Sequence, residues 1–573
     1  MNVFSLRRII FFILSLLSFT ASLTAQQIPD STRTRIDALF KEWDNTNSPG
    51  CALGIVKGDS LVFAKGYGMA NLEYGVPNTP STMFQLASVS KQFTAYCIVL
   101  LARQGKLNLE DDIHKYLPRF PDLNETITIR NLLNHTIRNL LNHTSGIRDY
   151  LMLRAIEGKK EEDIITQKEV LSLLYKQQAL NFKPNEKFLY SNSNYILLAE
   201  IVKKVSGQSF RQFVDSAIFK PLKMEHSHIH DDYSEIIKGR SYSYAANDDG
   251  SFSNIHSIGS DLGSTGLFTT GYDFGKWISN YFHPVAGVQQ DIEQLTGLKG
   301  KLTNGEEQVY ALGVRNTSYA GQQVITHNGS SAGYRTGFLV FPNIKLGIFL
   351  FSNIASLPVD DRIHNVADIF LKKQIKKIAI PEPAENDTSK AILLNPLLFK
   401  KYMGSYVDEL GTLFRFSMQD NKIHWQGNGV SRLMKAEGDT ITIFPHTDSK
   451  MVFSINPEKH DTVLKQFWSD NQRIFYKIRP DNSFTDQQLK AYEGTYYSPE
   501  LDCRYYVKLR NHHLYLYMNK PEESIILFRT RDDLVSEFWW FPSLKINRTA
   551  KGHIEGFEVN AGRVQHLRFT KTE

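Results

Sequence analysis

The sequence predicts a mixed α/β domain followed by all-β C-terminal units, and three observations predict it. Helical and strand patterns interleave from about Gln26 to Lys377. Pro381, Pro383 and the polar stretch 384–390 then interrupt them. Beyond that break, short alternating strands and polar turns run to the C-terminus.

Taken in order, residues 1–25 read as a signal peptide. Arg7 and Arg8 precede an apolar run from Ile9 to Leu17, and the small residues Ala21 and Ala25 suit cleavage. That run is short for a bilayer span, and no later segment is long and apolar enough to make one. A periplasmic or secreted protein without stable membrane insertion is expected. Ala52 to Tyr67 reads as a hairpin turned at Gly58-Asp59. Thr94 to Leu101 is nearly all apolar, so the helix starting near Ser88 is expected to be buried on every side. Tyr195 to Val205 reads as a helix stopped by Gly207, Phe338 to Asn353 as two strands, and Asp360 to Ile375 as a helix.

The first domain is placed at 26–378 and a linker at 379–394. Two related β-rich units come next, at 395–480 and 485–573. The first opens with Tyr402, Gly404 and Tyr406, and the second with Tyr492, Gly494 and Tyr496. Two small antiparallel barrels are expected. The Trp539-Trp540 pair is assigned to their packing.

Composition is that of a folded protein, 42% hydrophobic and 22% charged. A net charge of +6 without a dense basic run gives no footprint for nucleic acid. Cys51, Cys97 and Cys503 have neither metal-knuckle nor redox spacing and read as packing residues.

Three short clusters carry chemistry. In Phe84-Gln-Leu-Ala-Ser88-Val-Ser-Lys91, a Ser and a Lys three apart share one helical face. Burial disfavours the charged amine, and a neutral amine beside a hydroxyl serves as general base. Tyr190 and Asn192, two apart on what reads as an extended loop, supply a second acid/base and a positioning amide. His327, Gly329 and Ser330 enter a strand pair, where Gly329 admits a substrate backbone and the Ser330 N–H is a second oxyanion donor.

Together and in this order, the clusters resemble those of the serine β-lactamase and penicillin-binding-protein superfamily, the class C type above all. The flanking His143-Thr-Ser-Gly146, Ile218 to Met224, and Gly263-Ser-Thr-Gly266-Leu with Thr269, Thr270 and Asp273 are similar too. The resemblance implies an α/β sandwich, an antiparallel sheet flanked by helices. It implies Ser88 as nucleophile, Lys91 and Tyr190 as acid/base groups, and Asn192, His327, Gly329 and Ser330 around the substrate. It implies no cofactor and no metal, and a small-molecule or peptide substrate: amide, ester or D-amino-acid peptide, including those of the cell wall. Whether Lys91 or Tyr190 takes the first proton stays open.

Two features depart from that pattern. His327 stands where Lys is usual, which suits a substrate carboxylate less and an esterase or aminopeptidase more. Residues 129–136, IRNLLNHT, repeat at 137–144. Eight extra helical residues add about 12 Å and rotate the succeeding segment by about 80°. One copy is expected to bulge or extend into solvent, leaving Ser145-Gly146 in place. His226, His228 and His230 are read as exposed loop histidines in preference to a zinc site. The alternatives are a catalytically silent recognition protein and a metal-dependent hydrolase using those three histidines.

Overall fold

The hairpin forms as β1 (Cys51–Lys57) and β2 (Ser60–Tyr67), turning at Gly58, whose φ of +64° favours glycine. In the computed structural model the described residues are 28–371 and 402–572. Excepted are 124–135, 161, 248, 257, 420–421, 428–429, 438–439, 444–448, 456–461, 469–470, 479–482 and 519–521.

The hairpin pairs with strands from the far end of the first domain: β3 (Arg315–Tyr319), β4 (Gln322–Ser331), β5 (Tyr334–Phe341) and β6 (Leu346–Ser352). The six make one antiparallel sheet in the order β3-β4-β5-β6-β1-β2. Every residue of β6 is buried. Ile348 and Leu350 join a core with Ile36 and Phe40 of α1 (Asp30–Phe40) on one face of the sheet. Phe349 and Phe351 join another core on the opposite face. A strand buried on both sides needs a continuous apolar run, which explains why this segment does not alternate in sequence.

Residues between β2 and β3 supply the other layer. α2 (Lys91–Arg103), α3 (Asn192–Ser206) and α4 (Gly271–Asn280) pack into the Phe349 core, whereas α5 (Val359–Leu371) covers the opposite face beside α1. The fold is thus the expected α/β sandwich. Helix α2 is buried from Lys91 through Leu101, and α3 ends at Gly207 with φ +72°. Helix α3 begins at Asn192, three residues before its expected start. Tyr190 and Asn192 therefore straddle a helix entrance and do not share an extended loop.

The C-terminal units are two closed eight-stranded antiparallel barrels, Gly404–Lys477 and Gly494–Lys571 in extent. Their opening motifs are used identically. Tyr406 Oη donates to Tyr402 O at 2.8 Å, and Tyr496 Oη donates to Tyr492 O at 2.7 Å. Between each pair lies a glycine with positive φ, +125° at Gly404 and +149° at Gly494. The second barrel's core is continuous with that of the sandwich. A buried ion pair, Arg148 with Glu500 at 2.6 Å, crosses the junction.

All three cysteines are free and buried, consistent with packing. No helix among the described residues is long and apolar enough to cross a membrane. The expected signal peptide, the linker and most of the first IRNLLNHT copy lie outside the described residues. Of that copy, Thr136 is described, and it caps the short helix Ile137–Leu141 built by the second copy.

Candidate active site

Ser88 sits in a single 3-10 turn, Ala87–Ser90, that leads into α2. Ala87 has φ +48°, a left-handed value rare for a residue with a Cβ, so the turn holds local strain. Strand β4 packs directly against it. A Cβ on Gly329 would fall 2.4 Å from Leu86 O and 2.3 Å from Thr336 Oγ1. The glycine was expected to admit a substrate backbone; here the turn that carries Ser88 packs against it. Ser88 is half-buried, and Ser330 is exposed.

Lys91 is fully buried and makes three polar contacts. Its Nζ donates to Asn192 Oδ1 and to Ser264 O, at 2.8 Å each, and lies 3.1 Å from Ser88 Oγ. Burial drives its pKa well below the ordinary lysine value, against the opposing pull of Asp149. A neutral amine has two N–H groups and one lone pair. Two carbonyl oxygens consume the N–H groups, which leaves the lone pair for the Ser88 hydroxyl.

Asp149 fixes this geometry. Its Oδ2 accepts from Asn192 N at 2.6 Å and from Asn192 Nδ2 at 2.9 Å, which turns the amide oxygen toward Lys91. Its Oδ1 accepts from Leu151 N and Met152 N, capping the helix Tyr150–Ile156. The loop carrying Ser264 is shaped by Gly263 and Gly266, both at positive φ, with Thr94 Oγ1 donating to Gly263 O at 2.8 Å.

The Tyr190 ring lies tilted against His143 with centroids 4.2 Å apart, and its hydroxyl is buried without a hydrogen bond of normal geometry among the described residues. Burial raises its pKa to about 12, with the nearby Ser88 hydroxyl and Arg563 acting the other way. His143 Nδ1 accepts from Ser191 N at 3.1 Å, so its proton sits on Nε2, which is also buried and unpartnered. The second IRNLLNHT copy thus delivers His143 into the cluster, and Ser145 Oγ donates to Asn194 Oδ1 at 2.8 Å.

His327 is committed elsewhere. Its Nε2 accepts from Tyr310 Oη at 2.8 Å, and its Nδ1 donates to Asn328 O at 2.7 Å. Burial holds its pKa down to about 3, so the ring is neutral. It positions Tyr310 and offers no cation.

Of the three histidines expected to be exposed, only His226 is. His228 is half-buried and His230 buried, and with Glu235 they hold ligand atoms within 4.8 Å of one another. Arg211 donates to both Glu235 oxygens, at 2.8 and 3.1 Å, which makes the group an ion-pair cluster. His226 is not part of it. Sequence reasoning missed Asp149, Tyr310 and Arg563. Asp149 lies six residues beyond His143, but nothing in its spacing marks it.

A Ser-Lys-Tyr cluster between an antiparallel sheet and a helical layer defines a serine hydrolase of the β-lactamase-related type. The Beta-lactamase family model matches residues 36–138 and 136–371, more than half of the chain, and its two segments meet at the duplication. The chain belongs to the Beta-lactamase family. It is 26% identical over 430 residues to a penicillin-binding protein of Bacillus subtilis (strain 168), covering 70% of this chain and 89% of that one. It is 27% identical over 349 residues to Protein flp of Staphylococcus aureus (strain N315), covering 58% and 65% respectively. The octameric penicillin-binding protein homologue from Pyrococcus abyssi superposes with TM-score 0.54 at 21% identity, over 78% of this chain and 99% of that one. D-amino acid amidase from Ochrobactrum anthropi SV3 superposes with TM-score 0.50 at 18% identity, over 60% and 99%.

Proposed function

We propose that the chain is an exported hydrolase that cleaves amide, peptide or ester bonds through an acyl-enzyme on Ser88. The observation that carries the reading is the three-way contact of Lys91, whose Nζ lies 3.1 Å from Ser88 Oγ with carbonyl oxygens as its other two partners; in the neutral amine that leaves the lone pair for Ser88. Lys91 takes the Ser88 proton as Oγ attacks the substrate carbonyl carbon. The backbone N–H groups of Ser88 and Ser330 receive the developing oxyanion. Tyr190, a neutral phenol with a pKa of about 12, donates to the leaving group and recovers its proton from Lys91. Water then reverses the sequence and frees Ser88.

The opposite order, with Tyr190 as first base, would need a phenolate in a buried site where burial opposes it. D-amino-acid peptides, including those of the cell wall, are the substrate class we favour. Export is carried by residues 1–25, and the mature protein acts in the periplasm or outside the cell.

The test is parallel labelling with a fluorescent penicillin and a fluorophosphonate, read by intact mass on wild type and Ser88→Ala. The expected result is one adduct, absent from Ser88→Ala. A folded wild type that neither probe labels would favour the silent recognition protein instead.

A further inference from the structure

We propose that Arg563, carried by the last hairpin of the second barrel, is an anion anchor of the Ser88 cleft, so that the substrate bears a carboxylate near the bond cleaved. The second half of that statement rests on the hydrolase reading; the first does not.

The hairpin is pinned from two sides. It joins strands Ile554–Ala561 and Val564–Lys571, with Gly562 at φ +58° making the turn. From the first barrel, Leu410 O accepts from Gly562 N and from Gln565 Nε2, at 2.8 Å each. From the sandwich, Asn181 Nδ2 donates to Arg563 O at 2.9 Å, and Asn181 Oδ1 accepts from Gln565 N at 2.7 Å. Asp149 N also donates to Arg563 O, at 3.3 Å. Five main-chain and amide contacts thus fix where the Arg563 side chain starts.

The side chain itself is left with capacity. Its guanidinium lies 4.9 Å from the centre of the Tyr190 ring. The carboxylate it meets, Asp149 Oδ2, is 3.9 Å away, beyond hydrogen-bond length, and that oxygen already accepts twice from Asn192. The side chain remains 45% exposed. Around Tyr190 the guanidinium groups of Arg563 and Arg315 face the carboxylate of Asp149, while burial opposes the charged forms of Lys91, His143 and His327. A guanidinium fork with free donors matches a carboxylate in shape as well as charge. A neutral His327 leaves β4 without that function, and the barrel supplies it from the other side.

The test uses the full chain as Ser88→Ala, so that no probe is turned over. Calorimetric titration compares N-benzoylalanine with N-benzoylalaninamide, which differ in the carboxylate alone. With Arg563 intact, the acid is expected to bind about tenfold more tightly than the amide, the worth of one charged hydrogen bond. Arg563→Ala is expected to remove that margin and Arg563→Lys to restore part of it. None of the contacts that hold the hairpin is made by the Arg563 side chain, so docking should persist in both. Equal affinity for the two probes, no binding of the acid, or a margin that survives Arg563→Ala would overturn the anchor. A Ser88 adduct without acid preference would sink the anchor and spare the hydrolase. Acid preference without an adduct would do the reverse.

Discussion

Replacing Arg148 with Met should loosen the second barrel from the sandwich before either unfolds. The Arg148 side chain is fully buried and that of Glu500 is 3% exposed. Arg148 donates to Gln177 Oε1 at 3.1 Å, Gln565 O at 3.0 Å and His566 O at 2.8 Å, besides Glu500 Oε2 at 2.6 Å. Glu500 Oε2 also accepts from Gln178 N. Removing the cation leaves a carboxylate stranded away from water, which costs about 3–5 kcal/mol. That is a large part of the roughly 5–15 kcal/mol that holds a domain folded. The double variant Arg148→Met/Glu500→Leu no longer buries a charge. It orphans Gln565 O, His566 O and Gln177 Oε1, as the single variant does, and adds only Gln178 N, at about 1–3 kcal/mol. It should therefore be more stable than the single variant by about 2 kcal/mol. Urea denaturation gives the free energies, and amide exchange at Val564 to Leu567 reports docking. A single variant within about 1 kcal/mol of wild type, or a double variant weaker than the single, would show that the ion pair does not hold the junction.

Other outcomes are expected at the site. Gly329→Ala drives a Cβ into Leu86 O and should shift the Ser88 turn, slowing Ser88 labelling about a hundredfold while circular dichroism stays native. Lys91→Met should change how stability depends on pH. Because Lys91 is held well below its unfolded pKa, the unfolded chain binds the extra proton between the two values, so wild-type stability rises with pH there by up to about 1.4 kcal/mol per unit. Denaturation at several pH values should show that slope missing from the variant.

Much of this was legible because it is local. The apolar run after Ser88 announced a buried Lys91, and the repeated Tyr-Gly-Tyr motifs announced two units with the same internal hydrogen bond. The repeated motifs predict two small barrels, but which strands close them is not legible from alternation. Closure depends on first and last strands meeting, as Tyr406 does Lys477 and Tyr496 does Lys571. The substitution of Lys by His327 was visible, but its bond to Tyr310 was not, since a ring position carries no spacing signal. Asp149 reaches Asn192 across 43 residues, and Arg563 enters from a separate barrel. Such partners are set by tertiary closure. The histidines around His228 looked like a polar loop because Arg211, which pairs with Glu235 beside them, comes from 17 residues upstream of His228.

The proposed activation of Ser88 by a neutral Lys91 is read from the rate of fluorophosphonate addition to Ser88 across pH. Intact mass follows that rate in wild type and Lys91→Met. The expected profile reaches its plateau well below the ordinary lysine range near 10.4 and collapses in the variant. A rate that keeps climbing through about pH 10, or a Lys91→Met protein labelled as fast as wild type, would defeat the proposal.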